Sequence, residues 1–285
     1  MRGPWSRGLP DLVVEPIVRA ALLEDLGRAG DLTSRACIPA EARLSAVFAV
    51  RTPGVIAGLA CARLAVMAMD PGARFTACLA DGETAAAGAV VARVEANARA
   101  VLAAERVALN LLCRLSGIAT LTAAFVAEVA GTGARIVDTR KTTPGLRALE
   151  KFAVRCGGGA NHRFGLDDAI LIKDNHAAAC GGIGEAVRRA RASVGHMVKI
   201  EAEIDRLDQL EEALEQGPDI IMLDNFPLQD MERAVGMVKG RALLEASGGV
   251  SLATVRTIAA TGVNLISVGA LTHSAPILDI ALDVG

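Results

Sequence analysis

Residues 134–271 carry one short theme six times: ARIVDTR (134–140), DAILIKDN (168–175), VKIEAEI (198–204), DIIMLDN (219–225), ALLEASGG (242–249) and LISVGAL (265–271). These short runs are rich in Ile, Leu and Val, the pattern of strands buried on both faces. Between them lie helix-like stretches such as GEAVRRARASV (184–194), DRLDQLEEALEQ (205–216), LQDMERAVGMVK (228–239) and LATVRTIAAT (252–261). Such βαβα alternation implies a parallel sheet covered by helices, either doubly wound or closed into a barrel. The polar residues choose between the two. The runs end in Asp138 with Arg140 and Lys141, Lys173 with Asp174, Glu201 with Glu203, Asp224 with Asn225, Ser247 with Gly248 and Gly249, and Gly269. A barrel gathers all its strand C-termini at one mouth, whereas an open sheet spreads several of them apart. Six runs rather than eight imply an incomplete or smaller α/β barrel.

The first half of the chain has a different texture. A helical pattern runs from Pro16 to Glu24 and gives way to a polar loop, EDLGRAGDLTS (24–34). Strands are expected at Leu44–Arg51, Ala73–Ala80 and Ala89–Ala96, separated by Gly, Pro and Asp turns. A helical region starts near Ala98 and is expected to form one helix, or two broken near Gly117. This half reads as a small sheet with helices on it.

Composition narrows the function. The 285 residues suit one large domain or two modest ones. With 52 % hydrophobic residues, 22 % charged and a net charge of −2, nothing draws the whole chain to nucleic acid or an anionic membrane. An anion site must therefore be a local gathering of cations. Aromatics are 2 % with no Tyr, which argues against base stacking along a nucleic-acid strand. The six cysteines, at 37, 61, 78, 113, 156 and 180, form no CxxC pair and read as reduced residues of a cytoplasmic protein rather than zinc ligands. The opening MRGPWSRGLPDLVVEP lacks the apolar stretch of a signal peptide. Elsewhere, charges are expected to interrupt the Ala-rich stretches within the ~20 residues that a membrane span needs.

Five groups of residues carry chemistry. In DTRKTTPG (138–145), Arg140 offers a planar fork for a carboxylate and Lys141 a point charge for phosphate, with Thr139 beside them. A solvated loop would have the same composition. RCGGGANHR (155–163) places three glycines before His162 and Arg163, either as a backbone cradle for an anion or as a plain connection. In LIKDNH (171–176), Lys173 ends an apolar run, where it could bind an anion, form a Schiff base or pair with a structural carboxylate. Glu201 and Glu203 share a strand face and Asp224 ends the next strand, a set that could hold Mg2+, stabilise a cationic sugar carbon or neutralise the basic residues. Finally, EASGG (245–249) and SVGAL (267–271) look like the phosphate cradle after the late strands of a barrel, with His273 either a further phosphate donor or a structural residue.

Together these stretches resemble the quinolinate phosphoribosyltransferase family. The resemblance spans nearly the whole chain, from EDLGRAGDLTS to TGVNLISVGALTHS, and is most specific in DTRKTTPGLRALEKFAVRCGGGANHRFGLDDAILIKDNH (138–176). It implies an N-terminal α/β sandwich domain (1–116), an incomplete TIM-like α/β barrel of six or seven strands (117–273) and a C-terminal segment (274–285) packed back on the first domain. It also implies transfer of phosphoribosyl from phosphoribosyl pyrophosphate to quinolinate with loss of CO2, giving nicotinate mononucleotide for NAD biosynthesis. Arg140, His162, Arg163 and Lys173 then line the quinolinate pocket with Lys141 nearby. Arg106, in ERVALN, reaches in from the partner of a homodimer. Glu201 and Asp224 face the ribose and Mg2+, directly or through water or substrate. Ser247, Gly248, Gly249, Gly269 and Ala270 hold the 5′-phosphate, and Lys141, Lys173, Glu201 and Asp224 form the catalytic set. One departure is Ala202, where a β-branched residue is expected, and it should change packing rather than chemistry. A molybdate-uptake-associated family of the same fold is the nearest alternative. A Schiff-base aldolase using Lys173 and a non-catalytic barrel scaffold are the others.

Overall fold

The computed structural model describes residues 8–285, so most of the N-terminal MRGPWSRG and the start of the leader reading lie outside the described residues. Along the chain come α1 (Asp11–Leu26), α2 (Leu32–Cys37), β1 (Arg43–Val50), β2 (Gly54–Val55), α3 (Leu59–Met69), β3 (Arg74–Ala77), β4 (Thr84–Ala85), β5 (Val90–Asn97) and α4 (Ala98–Glu128). Next are β6 (Arg135–Val137), α5 (Arg147–Cys156), β7 (Ile170–Ile172), α6 (Asp174–Cys180), α7 (Ile183–Ser193), β8 (Ile200–Ile204) and α8 (Gln209–Glu215). The chain ends with β9 (Ile220–Asp224), α9 (Leu228–Val238), β10 (Leu243–Ser247), α10 (Val255–Ala260), β11 (Leu265–Ser267), α11 (Ala270–His273) and β12 (Ile280–Val284). Two compact units share these elements. The first holds residues up to Ala123 together with Thr142–Gly158 and Leu271–Gly285; the second holds Ala124–Lys141 and Gly159–Ala270. The units interleave along the chain.

In the first unit an antiparallel sheet has the order β12-β1-β5-β3. The C-terminal strand thus returns to β1, with Ala46 opposite Val284 and Val50 opposite Ile280. Helix α1 begins at Asp11, earlier than its apolar pattern suggests, and includes Pro16. Its buried stripe, Val14, Val18 and Leu22, repeats every four residues and holds the helix together across the missing proline N–H. The loop expected at 24–34 runs into a helix at its end. Asp31 caps α2, its carboxylate accepting from the Ser34 N–H at 2.9 Å.

Helix α4 runs unbroken through Gly117. A side chain at that position would sit 2.0 Å from the Pro276 carbonyl oxygen and 2.9 Å from Ile277 Cα. This glycine therefore serves close approach of another backbone rather than a break. The same helix corrects the reading of the Ala-rich stretches: it is long and apolar enough, by length and composition, to cross a membrane. Burial explains that composition, since 61 % of its most apolar window is inside the fold.

The second unit is built on a parallel six-stranded sheet of order β6-β11-β10-β9-β8-β7. All six expected runs are strands of this one sheet, whose end strands β6 and β7 are not paired with each other, as an incomplete α/β barrel requires. Ala160 adds a single parallel bridge to Val137, on the side of β6 away from β11. On β8, Ile200, Ala202 and Ile204 are buried on the face opposite Glu201 and Glu203. Ala202, fully buried there, touches packing and not the charged face.

Candidate active site

The active face is assembled from strand ends. Parallel registry aligns Ser247 of β10 with Asp224 of β9, and Met222 with both Glu245 and Glu203. Residues two apart on a strand share a face but differ in depth by about 6.6 Å. Asp224 and Ser247 therefore stand at the C-terminal rim, Glu203 and Glu245 one level below it, and Glu201 deeper again. A cavity of about 630 Å3 opens on this rim. Its lining includes Thr139, Arg140, Lys141, His162, Arg163, Lys173, Asp224, Ser247, Gly248 and Gly249, all singled out by sequence. Leu171, Glu203, Met222, Asn225, Glu245 and Ser267 complete it.

Asp138, fully buried after β6, organises the basic segment. Its carboxylate accepts from Asn161 Nδ2 at 2.6 Å and from the His162 N–H at 2.8 Å. The His162 ring is held at both ends. Nδ1 accepts the Arg163 N–H at 2.7 Å, which leaves the ring proton on Nε2, 2.9 Å from Glu201 Oε2. Arg163 Nη1 donates to the Ala169 carbonyl at 2.9 Å. Burial, reinforced by the neighbouring Arg140, lowers the Arg163 pKa. Glu201 and Asp168 partly offset that shift, so the cavity wall sets two guanidiniums beside carboxylates, and their planar forks suit a carboxylate ligand. Across the rim, Lys173 Nζ stands 3.9 Å from Glu203 Oε2. Burial raises the Glu203 pKa; Lys173 opposes that shift and Asp224 adds to it.

Several expected residues stand elsewhere. Glu201 is buried against His162 and does not line the cavity, whereas Glu203 does. Gly269 and Ala270 follow β11 without lining the cavity, and His273 is exposed in the other compact unit, its Nδ1 2.6 Å from Ser274 Oγ. Arg106 is exposed on α4, also in that unit. The triglycine is no cradle in this cavity. Gly157 ends α5, and a Cβ there would fall 2.3 Å from the Ala119 carbonyl oxygen, so its first glycine serves helix packing.

Sequence reasoning did not single out Glu245 for a role, although a lone acid inside the apolar run LLEAS is the signal. Its Oε1 lies 3.7 Å from His162 Nε2. Burial first, then the negative charge of Glu201, pushes its carboxyl up to about 8. A carboxyl raised on folding contributes stability that is fully present below its unfolded pKa near ~4.3 and is lost as pH rises through the folded value. Wild-type stability should therefore fall between about pH 5 and pH 8 by more than that of Glu245→Gln. Urea unfolding of both proteins across that range checks this, and parallel curves would refute it.

A parallel α/β barrel whose rim joins paired arginines and lysines to carboxylates defines an enzyme for substrates carrying several negative charges. Residues 31–116 match the quinolinate phosphoribosyl transferase N-terminal domain, and residues 118–283 match the C-terminal domain of the same name. The chain belongs to the quinolinate phosphoribosyltransferase family. It is 48 % identical over 273 residues to the nicotinate-nucleotide pyrophosphorylase [carboxylating] of Mycobacterium leprae, covering 94 % of this chain and 95 % of that one. The probable nicotinate-nucleotide pyrophosphorylase [carboxylating] of Bacillus subtilis is 45 % identical, with 96 % and 94 % covered. The solved nicotinate-nucleotide pyrophosphorylase of Francisella tularensis superposes with a TM-score of 0.94 at 37 % identity, covering 98 % of this chain and 99 % of that one. These names favour the pyridine-nucleotide reading over the molybdate-associated one.

Proposed function

We propose that the protein transfers phosphoribosyl from phosphoribosyl pyrophosphate to quinolinate, releasing pyrophosphate and CO2 and giving nicotinate mononucleotide for de novo NAD synthesis. The observation that carries this reading is the meeting of Arg140, Lys141, Arg163 and Lys173 with Glu203 and Asp224 around one cavity of about 630 Å3. That volume suits a small ligand with its co-substrate.

The chemistry follows from the charges. Arg140 and Arg163 fork onto the two quinolinate carboxylates and fix the ring. The pyridine nitrogen then lies in line with the ribose C1, which removes much of the entropic barrier. As the C1–O bond breaks, its electrons leave with pyrophosphate, and Lys141 and Lys173 offset that charge. Asp224 and Glu203 face the positive charge that develops at C1. The turn of Ser247, Gly248 and Gly249 receives the 5′-phosphate. N-alkylation leaves the ring cationic; the bond from C2 to its carboxylate then breaks, CO2 departs, the electron pair stays on C2 beside the cationic nitrogen, and C2 takes a proton from solvent.

The rim fits Mg2+. Glu203 and Asp224 are oxygen donors near enough that Asp224 raises the Glu203 pKa, the mutual repulsion that a hard cation relieves. When bound, Mg2+ neutralises the pyrophosphate. We assign the protein to the cytoplasm, a reading supported by six unpaired cysteines, of which Cys37 and Cys78 are exposed. It acts as a homodimer in this reading, with exposed Arg106 completing the partner's site.

Nicotinate tests substrate choice because it lacks the 2-carboxylate. Each charge-assisted hydrogen bond lost costs about 1.5–3 kcal/mol, so kcat/KM should fall at least roughly tenfold against quinolinate. Equal turnover of the two acids would overturn the two-carboxylate clamp.

A further inference from the structure

Asn225 has a backbone that few side chains adopt, with φ 56°. Asn tolerates this left-handed region better than most residues. The conformation lets one residue make three contacts. Its N–H donates to the Ser247 carbonyl at 2.9 Å, and its Nδ2 donates to Asp224 Oδ2 at 2.9 Å. Its side chain also occupies the space beside Gly248: a Cβ at 248 would lie 2.1 Å from Asn225 Oδ1 and 2.6 Å from its Cγ. Gly248 is itself left-handed, with φ 96°.

We propose that Asn225 is a positioning residue that couples the Asp224 carboxylate to the Gly248 turn, so that one side chain sets both the group facing the ribose carbon and the turn receiving the 5′-phosphate. This rests on the functional reading given above for Asp224 and Gly248. The amide aims one Asp224 oxygen by donating to it, leaving the other oxygen and the remaining lone pairs for substrate. The same amide forms the wall against which the glycine turn is folded. Binding at the phosphate end thereby presses on the residue that orients the carboxylate.

Three variants test the coupling: Asn225→Gly, which accepts the positive φ, Gly248→Ala, and the double variant. Each is measured for kcat, for KM of phosphoribosyl pyrophosphate, for ribose 5-phosphate binding by calorimetry and for Tm. Asn225→Gly should lower kcat roughly 10–100-fold, the usual loss when a carboxylate loses the partner that orients it, with a smaller change in KM. Gly248→Ala should weaken ribose 5-phosphate binding in the wild-type background. The same change should cost at least about fivefold less in the Asn225→Gly background, because the two side-chain atoms it strikes are gone, while the strain of the positive φ and the backbone nitrogen at 3.1 Å are common to both backgrounds. Unchanged kcat in Asn225→Gly, or equal losses from Gly248→Ala in both backgrounds, overturns the proposal. If Gly248→Ala does not fold, the kcat of Asn225→Gly decides alone. A wild-type protein that binds ribose 5-phosphate but forms no nucleotide defeats the functional reading instead, and the binding cycle still reports on the coupling.

Discussion

Glu150→Ala should destabilise the fold by about 3–5 kcal/mol, the cost of stranding one member of a buried ion pair. Glu150 is fully buried on α5, and its Oε1 accepts from Arg114 Nη2 at 2.9 Å and from Thr143 Oγ1 at 2.8 Å. Its Oε2 accepts the Thr143 N–H at 3.1 Å. Arg114 also donates through Nη2 to the Thr272 carbonyl and through Nη1 to that of Ala275 at 3.4 Å. One carboxylate thus ties α5 to α4 and to the loop before α5. Removing it leaves a guanidinium whose side chain is only 23 % exposed without its counter-charge. Total stabilities of about 5–15 kcal/mol make this a large fraction, and Tm should fall by on the order of 10 °C. Glu150→Gln keeps the volume but turns one acceptor into a donor facing donors, and should fall between the two proteins. Thermal unfolding of all three checks this, and a Tm for Glu150→Ala within a degree or so of wild type would contradict it.

Mixing two inactive proteins should restore activity. Arg106 is exposed on α4, whereas Lys173 lines the cavity of the barrel unit. In the proposed homodimer with sites completed across subunits, Arg106→Ala and Lys173→Ala each break both sites of their own dimer. A heterodimer concentrates both lesions in one site and leaves the other intact. After subunit exchange the mixed species should reach at most about half the wild-type rate, one site in two. If Arg106 served its own subunit, each heterodimer site would keep one lesion and mixing would restore nothing. Exchange confirmed by mass spectrometry together with zero recovery would rule out the shared site.

The barrel was legible because strands covered on both faces are written as unbroken apolar runs. IIMLD could hardly be placed elsewhere, and each run ended in groups that only a common mouth would bring together. The first helix was harder, since Pro16 looks like a start and only packing of Val14, Val18 and Leu22 extends the helix behind it. Glycine carried the weakest signal. Gly117 and Gly157 mark close backbone contacts with residues far along the chain, which no local pattern encodes. In the site, alternation correctly put Glu201 and Glu203 on one face, but not at which depth the cavity ends. That depends on which partner each acid meets: His162 for Glu201 and Lys173 for Glu203. Glu150 and Arg114, 36 residues apart, lay outside any motif reading, because the pair exists only through tertiary contact.

Quinolinate carrying 13C in its 2-carboxylate, incubated with the protein, phosphoribosyl pyrophosphate and Mg2+, should give nicotinate mononucleotide, with one labelled CO2 and one pyrophosphate released for each nucleotide formed. A protein that is folded and binds quinolinate, yet forms no nucleotide or leaves the label in its product, would contradict the proposed reaction.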